Sequence, residues 1–308
     1  MNYWQRTTII FTMVVILFFV SFKSAQALPI PTSGEEASNP LELGIEAIRQ
    51  GNYEKARDAF TEVIKENKNS FLGYSNRCLN NLQLRDYVNA LTDCNQALNF
   101  NSHNLETYLN RGLAFFQLGN YQAALADYNH VIEENQQDLR AYYNRGLVWF
   151  EMQQYQQAIA DYNQALFLSD QANSTQQASI YNDRGLAQLM LRNIAGAITD
   201  FSQAIALDER NYRAFYNRAC ACHQNHDLPG AKRDFTIALE IDPEQPEVYL
   251  SRGLISYELG YFQIAFSDLK TASQQFQKQG DEEAWQKTKA LVHTLQQRIK
   301  LLTSEKIV

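Results

Sequence analysis

The chain has 308 residues, of which 45% are hydrophobic, and it carries 27 Lys and Arg residues against 34 Asp and Glu. The resulting formal net charge of −7 at pH 7 argues against a nucleic acid partner, because phosphate binding requires clustered Lys and Arg. Aromatic residues, 12% of the chain, fall mostly at repeated positions, which indicates core packing rather than a surface that stacks on bases.

The first 27 residues predict an export signal. Arg6 precedes an apolar run over residues 9–22, and residues 25–27 read Ala-Gln-Ala, the small-residue pattern of a cleavage site. The run is shorter than the roughly 20 apolar residues that span a bilayer. We therefore expect cleavage after Ala27 and export to the periplasm, a lumen or the extracellular space. The alternative is an uncleaved signal that anchors the chain in a membrane.

A unit of 34 residues recurs seven times in the rest of the chain. A predicted linker over residues 28–40 leads into copies at 37–70, 71–104, 105–138, 139–172, 178–211, 212–245 and 246–279. One slot holds alanine in every copy: Ala56, Ala90, Ala124, Ala158, Ala197, Ala231 and Ala265. Twelve residues earlier, every copy has a small residue: Gly44, Cys78, Gly112, Gly146, Gly185, Ala219 and Gly253. These rows, flanked by aromatic residues at helical spacing, predict two closely packed helices per copy in a solenoid.

Polar residues mark the expected helix starts. The second helix of a copy is predicted to follow an N-cap residue: Asn52, Asp86, Asn120, Gln154, Asn193 or Asp227. Asn39-Pro40 opens the first helix in the same manner. Residues 173–177 are an insertion, which we expect to lengthen the turn between the fourth and fifth copies.

The segment after the last copy has a different pattern. Within residues 280–308, one helical face carries the apolar side chains of Trp285, Val292, Leu295, Ile299 and Leu302. Because a solenoid needs a polar-faced cap over its last repeat, we expect a capping helix here. A partner-binding amphipathic helix is the alternative.

The spacing G-x2-F/Y/W, then G-x-Y-x2-A-x3-F/Y-x2-A, resembles the tetratricopeptide repeat, whose period is about 34 residues. The matches in the third copy are Gly112, Phe115, Gly119, Tyr121, Ala124 and Tyr128, and those in the fourth are Gly146, Trp149, Tyr155, Ala158, Tyr162 and Ala165. The resemblance implies an all-α fold, a right-handed α-solenoid of seven helix pairs with a C-terminal capping helix. It implies less about function, because repeat families serve many partners.

Arginine and aspartate form two further rows, sixteen residues apart. The pairs are Arg77 and Asp93, Arg111 and Asp127, Arg145 and Asp161, Arg184 and Asp200, Arg218 and Asp234, and Arg252 and Asp268. The first copy has Leu43 and Ala59 at the two slots. Joint presence in six copies and joint absence in one predict ion pairs that join the two helices of a repeat, in preference to an anion site or a catalytic carboxylate.

The four cysteines fall into two groups. Cys78 and Cys94 replace the small and the aromatic residue of the second copy, so they are expected to face each other and are candidates for a disulfide in an exported protein. The alternative is that both are small buried hydrophobes.

The second group, Cys220, Cys222, His223 and His226, lacks the spacing of haem or zinc motifs. We expect no metal and no cofactor, and a metal-dependent activity here is a remote alternative. The chain also lacks the common phosphate-binding, nucleophile and zinc-protease motifs, which favours a protein that is not an enzyme.

One slot of the first helices carries Asn76, Asn110, Asn144 and Asn217, with Asp183 and Ser251 in the fifth and seventh copies. This row resembles the asparagine ladder of some tetratricopeptide proteins, whose amides bind the backbone of an extended peptide through a donor and an acceptor. The neighbouring slots hold Tyr143, Tyr216, Leu113 and Leu147. The alternative is that asparagine merely satisfies the repeat consensus.

Basic residues in this groove are sparse, chiefly Arg140 and Arg213, so the row departs from the family members that clamp acidic C-termini. We favour a non-enzymatic interaction scaffold or assembly factor that holds an extended, partly apolar protein or peptide segment in its concave groove. The alternative is a structural or self-associating solenoid whose groove takes its own tail, its linker or a second copy. A membrane would be involved only if the signal is uncleaved.

Overall fold

The computed structural model of the protein describes residues 39–169 and 173–304, and in these residues every regular element is a helix. The helices are α1 (Pro40–Arg49), α2 (Tyr53–Glu66), α3 (Phe71–Gln83), α4 (Tyr87–Phe100), α5 (Leu105–Gln117), α6 (Tyr121–Glu134), α7 (Leu139–Glu151), α8 (Tyr155–Phe167), α9 (Ser174–Met190), α10 (Ile194–Leu207), α11 (Tyr212–Gln224), α12 (Leu228–Ile241), α13 (Pro246–Glu258), α14 (Phe262–Gln279) and α15 (Glu282–Ser304). The predicted signal and nearly all of the predicted linker lie outside the described residues.

Each helix packs against its neighbours in the chain, so α1 to α14 form seven antiparallel pairs and α15 follows on the last pair. The predicted all-α solenoid is therefore confirmed. Successive first helices, from α1 through α11, also contact one another, and more extensively than successive second helices do. The first helices therefore line the inner, concave side of the solenoid.

Close contact between glycine and an aromatic ring explains the two rows of small residues. A Cβ atom on Gly112 would lie 2.7 Å from the ring of Tyr128, and one on Gly146 would lie 2.6 Å from the ring of Tyr162. The alanine of the repeated slot is fully buried in every copy. Any larger side chain would push the two helices of a repeat apart.

All six residues predicted to precede second helices occupy the N-cap position, and five of them cap the helix with their side chains. The side chains of Asn52, Asp86, Asn120, Asn193 and Asp227 each accept a hydrogen bond from the backbone N–H three residues on.

Gln154 also occupies the N-cap position of its helix, but its side chain makes no capping bond. Its oxygen accepts from the side chain of Gln157 instead, at 2.8 Å. The additional methylene of glutamine carries the amide beyond the backbone N–H that an asparagine reaches.

The insertion lengthens both the connection between two repeats, as expected, and the helix that follows. Six residues separate α8 from α9, whereas four separate the helices at each of the other boundaries between repeats. Helix α9 begins at Ser174 and has 17 residues, where other first helices after α1 have 13. Asn173 is its N-cap and accepts from the backbone N–H of Gln176 at 2.8 Å. No glycine or proline lies between Asn173 and Gly185, so this segment continues as helix once the N-cap has started it.

Helix α15 covers the end of the solenoid. Leu295 is fully buried and packs in a cluster with Leu269 of α14, where Val292 and Ile299 are partly buried. Leu302 departs from the prediction, since it is 36% exposed. Across the described residues, none of the helices combines the length and apolarity that a bilayer span requires.

Candidate functional site

The arginine and the aspartate of these two rows form a bidentate ion pair inside each repeat from the second to the seventh. Arg145, for example, donates from Nε and Nη2 to the two carboxylate oxygens of Asp161, at 2.8 and 2.6 Å. The aspartate of each pair is almost completely buried, and the arginine is about one fifth exposed. The fork of the guanidinium matches the carboxylate in geometry as well as in charge.

The same arginine also contacts the preceding repeat. Nη1 of Arg145 donates to Asn129 of α6 at 2.7 Å, and the guanidinium lies 5.6 Å from the ring centre of Tyr142. The corresponding acceptors in the other repeats are Thr61, Asn95, Asn163, Ser202 and Thr236. Each arginine thus joins three helices, so its donors are taken up inside the solenoid and do not form an anion site.

Cys78 of α3 and Cys94 of α4 are joined by a disulfide, with 5.3 Å between their Cα atoms. Both are fully buried. The bridge takes the place that the glycine and aromatic ring have in the third and fourth repeats, and it joins the same two helices covalently.

The four residues Cys220, Cys222, His223 and His226 lie in different surroundings. Burial raises the pKa of the Cys220 thiol to about 12, and Cys222 is also buried. His223 lies 3.4 Å from Glu258 of α13, while His226 is in the turn after α11 with φ of 62°. In the part of the chain that the structure describes, no group of three or more His, Cys, Asp or Glu residues could hold a metal ion.

The four ladder asparagines divide into two kinds. Asn76 donates to the carbonyl of Leu72 in its own helix at 2.8 Å, and Asn217 donates to Oδ1 of Asn182 at 2.9 Å. The side chains of Asn110 and Asn144 are partly exposed and form no hydrogen bond with the described residues. Of the four, only these two, on the adjacent first helices α5 and α7, have an amide with no intramolecular hydrogen bond among the described residues.

Asp183 of α9 is the centre of a polar network that sequence reasoning missed. Its carboxylate accepts from the hydroxyl of Tyr143 at 2.7 Å and from the amide of Asn182 at 3.1 Å. Through the bond from Asn217 to Asn182, the network joins α7, α9 and α11 on the concave side. The sequence contains one signal for this network: Asp183 is the single acidic residue in a row that otherwise holds asparagine and serine.

Burial gives Asp183 an unusual pKa. Desolvation raises the pKa to about 6, although the hydrogen bonds from Tyr143 and Asn182 and the charge of Arg213 act to lower it. Burial likewise raises the pKa of the Tyr143 hydroxyl well above its usual value, and the neighbouring Asp183 raises it further. Near pH 7 the site therefore holds a carboxylate whose surroundings stabilise its charge only in part.

A small recess opens beside this carboxylate. It is lined by Leu147, Phe150, Tyr162, Asp183 and Leu186 and is too shallow to enclose a water molecule. The hydroxyl of Tyr162 is fully buried and has no hydrogen-bond partner among the described residues.

The apolar groove residues are less accessible than the sequence suggested. Tyr143 and Leu147 are buried, whereas Leu113 and Tyr216 are partly buried. Leu147 lines the recess, and Tyr143 is buried beside it with its hydroxyl bonded to Asp183.

Comparisons with known proteins agree on the repeat. A family model described as tetratricopeptide repeat matches residues 41–103, 109–173 and 182–246. The crystal structure of a tetratricopeptide repeat protein from Parabacteroides merdae is similar, with a TM-score of 0.63 and 20% identity over 81% of this chain and 97% of that one. YrrB, described as a TPR protein with an unusual peptide-binding site, has a TM-score of 0.50 and 19% identity over 64% of this chain and 97% of its own. At these identities the likeness is one of fold alone.

One curated protein is similar over a short stretch. The mitochondrial import receptor subunit TOM34 of Pongo abelii is 35% identical over 71 residues. This stretch is 22% of the present chain and 23% of TOM34, so the chain matches about a quarter of that relative.

Proposed function

The chain belongs to the tetratricopeptide repeat family, and we propose that it is a non-enzymatic interaction scaffold that binds an extended protein segment along its concave side. The observation that carries this proposal is the pair of unbonded amides of Asn110 and Asn144 on adjacent inner helices. A carboxamide without an intramolecular partner offers a donor and an acceptor that match the N–H and C=O of a peptide backbone.

The form of the proposed ligand follows from the same surface. The two amides occupy equivalent positions in successive repeats, so a ligand that uses both must extend across the repeats. An extended chain exposes its backbone groups, whereas a helix uses them internally. Peptide binding by YrrB is consistent with this use of the fold.

The proposed place of action is outside the cytoplasm, after removal of residues 1–27. The Cys78–Cys94 disulfide supports this, because disulfides persist in oxidising compartments. Intact-mass measurement of natively expressed protein tests it: we expect a chain that starts at Leu28. A mass that includes the first 27 residues would contradict cleavage.

Affinity capture from the native compartment tests the scaffold itself. The double variant Asn110→Ala with Asn144→Ala should lose the segment-binding partner that the wild-type protein retains. The matched control is Gln122→Ala with Gln156→Ala, which removes two exposed carboxamides from the second helices of the same repeats. Equal recovery of partners by the wild type and both variants would refute binding through the groove amides.

A further inference from the structure

The two groove amides that have no internal hydrogen bond lie at matched places on neighbouring helices. Arg140 of α7 donates from Nη1 to Oε2 of Glu106 of α5 at 2.8 Å, so the two inner helices are in direct contact. Asn144 and Asn110 lie one turn further on, four residues after the arginine and the glutamate, and residues four apart share a face of a helix. Helices in contact have axes about 8 to 10 Å apart, which sets the separation of the two amides along the groove.

We infer that this pair of amides selects a partner segment in the polyproline II conformation, whose two contacting residues are three apart. The inference rests on the proposed function and names the class of segment that the groove takes.

The row of groove amides is limited to two members. Asn76 bonds its own helix and Asn217 bonds Asn182, while Asp183 takes the slot between the fourth and sixth repeats. The recess beside Asp183 is too shallow to enclose a water molecule, so no side chain of a ligand is held inside it. Recognition at two points of the ligand backbone is therefore the contact that this part of the groove supports.

The separation of the two amides distinguishes between the conformations of a bound chain. In a β-strand, equivalent backbone groups recur every second residue, at about 6.7 Å and then about 13 Å, and neither distance matches 8 to 10 Å. Polyproline II repeats every third residue with a rise of about 3.1 Å per residue, so equivalent groups recur at about 9.3 Å. An α-helix is excluded because its backbone groups bond to each other.

Proline suits the two positions between the contacts. These positions need no N–H for the groove, and proline fixes φ near the value that polyproline II requires. Leu79 and Leu113, one turn after the asparagine slot on α3 and α5, are partly exposed and provide apolar contact for a proline ring. The favoured core of the segment is thus a non-proline residue, two prolines and a second non-proline residue.

Four peptide libraries test the inference on the immobilised full-length protein. Their cores are Ala-Pro-Pro-Ala, Ala-Pro-Ala, Ala-Pro-Pro-Pro-Ala and the strand-forming Ala-Thr-Val-Ala. All have the same flanks of N-substituted glycines with randomised side chains, which lack an N–H. In the three proline cores, the two alanines therefore supply the only backbone N–H groups of core and flanks.

The wild type should retain Ala-Pro-Pro-Ala about fivefold more than the two other proline cores, because only this spacing lets both amides bind an alanine. It should retain Ala-Pro-Pro-Ala about tenfold more than Ala-Thr-Val-Ala, because each proline removes conformational freedom from the unbound peptide. Asn110→Ala with Asn144→Ala should retain the three proline cores equally. The control Gln122→Ala with Gln156→Ala, exposed on the second helices, should keep the wild-type preference.

Two features make the result decisive. The comparison of spacings uses the wild type alone, so it tests the inference even if the double asparagine variant does not fold. The chain itself carries Pro29 and Pro31 ahead of α1, so the libraries are also applied to Pro29→Ala with Pro31→Ala, in which these prolines cannot compete for the groove.

The failures are distinguishable. If Ala-Thr-Val-Ala is retained as well as Ala-Pro-Pro-Ala and both are lost in the double asparagine variant, polyproline II selection is refuted and the groove proposal stands. If the preference for Ala-Pro-Pro-Ala persists in that variant, backbone binding by the two amides is refuted as well. If neither the wild type nor the proline variant retains any library, the inference is refuted, and affinity capture of the natural partner decides the scaffold independently.

Discussion

Substitution of Arg145 and Asp161 measures how much the buried ion pair of a repeat contributes to the stability of the protein. The carboxylate of Asp161 is 8% exposed and the side chain of Arg145 is 21% exposed. Removal of one partner from a buried ion pair lowers the free energy of unfolding by about 3 to 5 kcal/mol. Because the arginine is partly exposed, we expect Arg145→Leu to lower it by an amount near the lower limit, about 3 kcal/mol. Asp161→Ala should cost less, about 2 kcal/mol, because the guanidinium keeps its bond to Asn129.

The double variant Arg145→Leu with Asp161→Ala copies the first repeat, which has Leu43 and Ala59 at these slots. We expect it to lose only about 2 kcal/mol, which gives a coupling energy of about 3 kcal/mol. Urea denaturation of the four proteins, followed by circular dichroism, measures the cycle.

An exposed ion pair supplies the control for this cycle. Glu283 and Lys287 are 79% and 69% exposed, so their cycle should give a coupling of less than about 0.5 kcal/mol. If the losses of the two single variants at Arg145 and Asp161 simply add in the double variant, the buried pair does not stabilise the repeat.

Three other features lead to measurable expectations. The Cys78–Cys94 disulfide predicts two free thiols in unfolded, unreduced protein and a loss of about 3 kcal/mol on reduction, whereas four free thiols would show that the bridge is absent. Leu295→Ala should lower the free energy of unfolding by about 3 kcal/mol by opening a cavity under α15, while Gln296→Ala on the exposed side should change it by less than about 0.5 kcal/mol; equal effects would contradict a cap. Asp183→Asn should raise the free energy of unfolding near pH 7 by up to about 3 kcal/mol, because the folded pKa of about 6 lies above the unfolded value of about 3.9. Between these pH values the unfolded state loses its proton first, so wild-type stability falls as pH rises, and the two proteins should converge below about pH 4; a gain that persists there would contradict the raised pKa.

Most of the fold is predictable because each repeat solves the same packing problem. Glycine at Gly112 and alanine at Ala124 are required by helix contacts that recur every 34 residues, so a period alone identifies them. The exception, residues 173–177, shows the limit of this reasoning. An insertion has no counterpart in the other repeats, and its local helix signal at Asn173 must be weighed by itself.

The site was predictable only in its outline. The asparagine row identifies the slot, but the bond from Asn76 to its own helix and the bond from Asn217 to Asn182 depend on side-chain directions that spacing does not encode. Asp183 interrupts the row in the sequence, and only its contact with Tyr143, forty residues earlier, shows that it organises the groove.

Backbone recognition by the groove amides is the central claim, and peptide N-methylation tests it most directly. A captured partner segment is made as a synthetic peptide and as a series in which one backbone N–H at a time is replaced by N–CH3. Calorimetric titration of the wild type should show a loss of about 1 kcal/mol or more at one or two positions, and this loss should disappear in Asn110→Ala with Asn144→Ala. If no N-methylated position binds more weakly, or if the same losses persist in the double variant, the amides of Asn110 and Asn144 do not bind the peptide backbone.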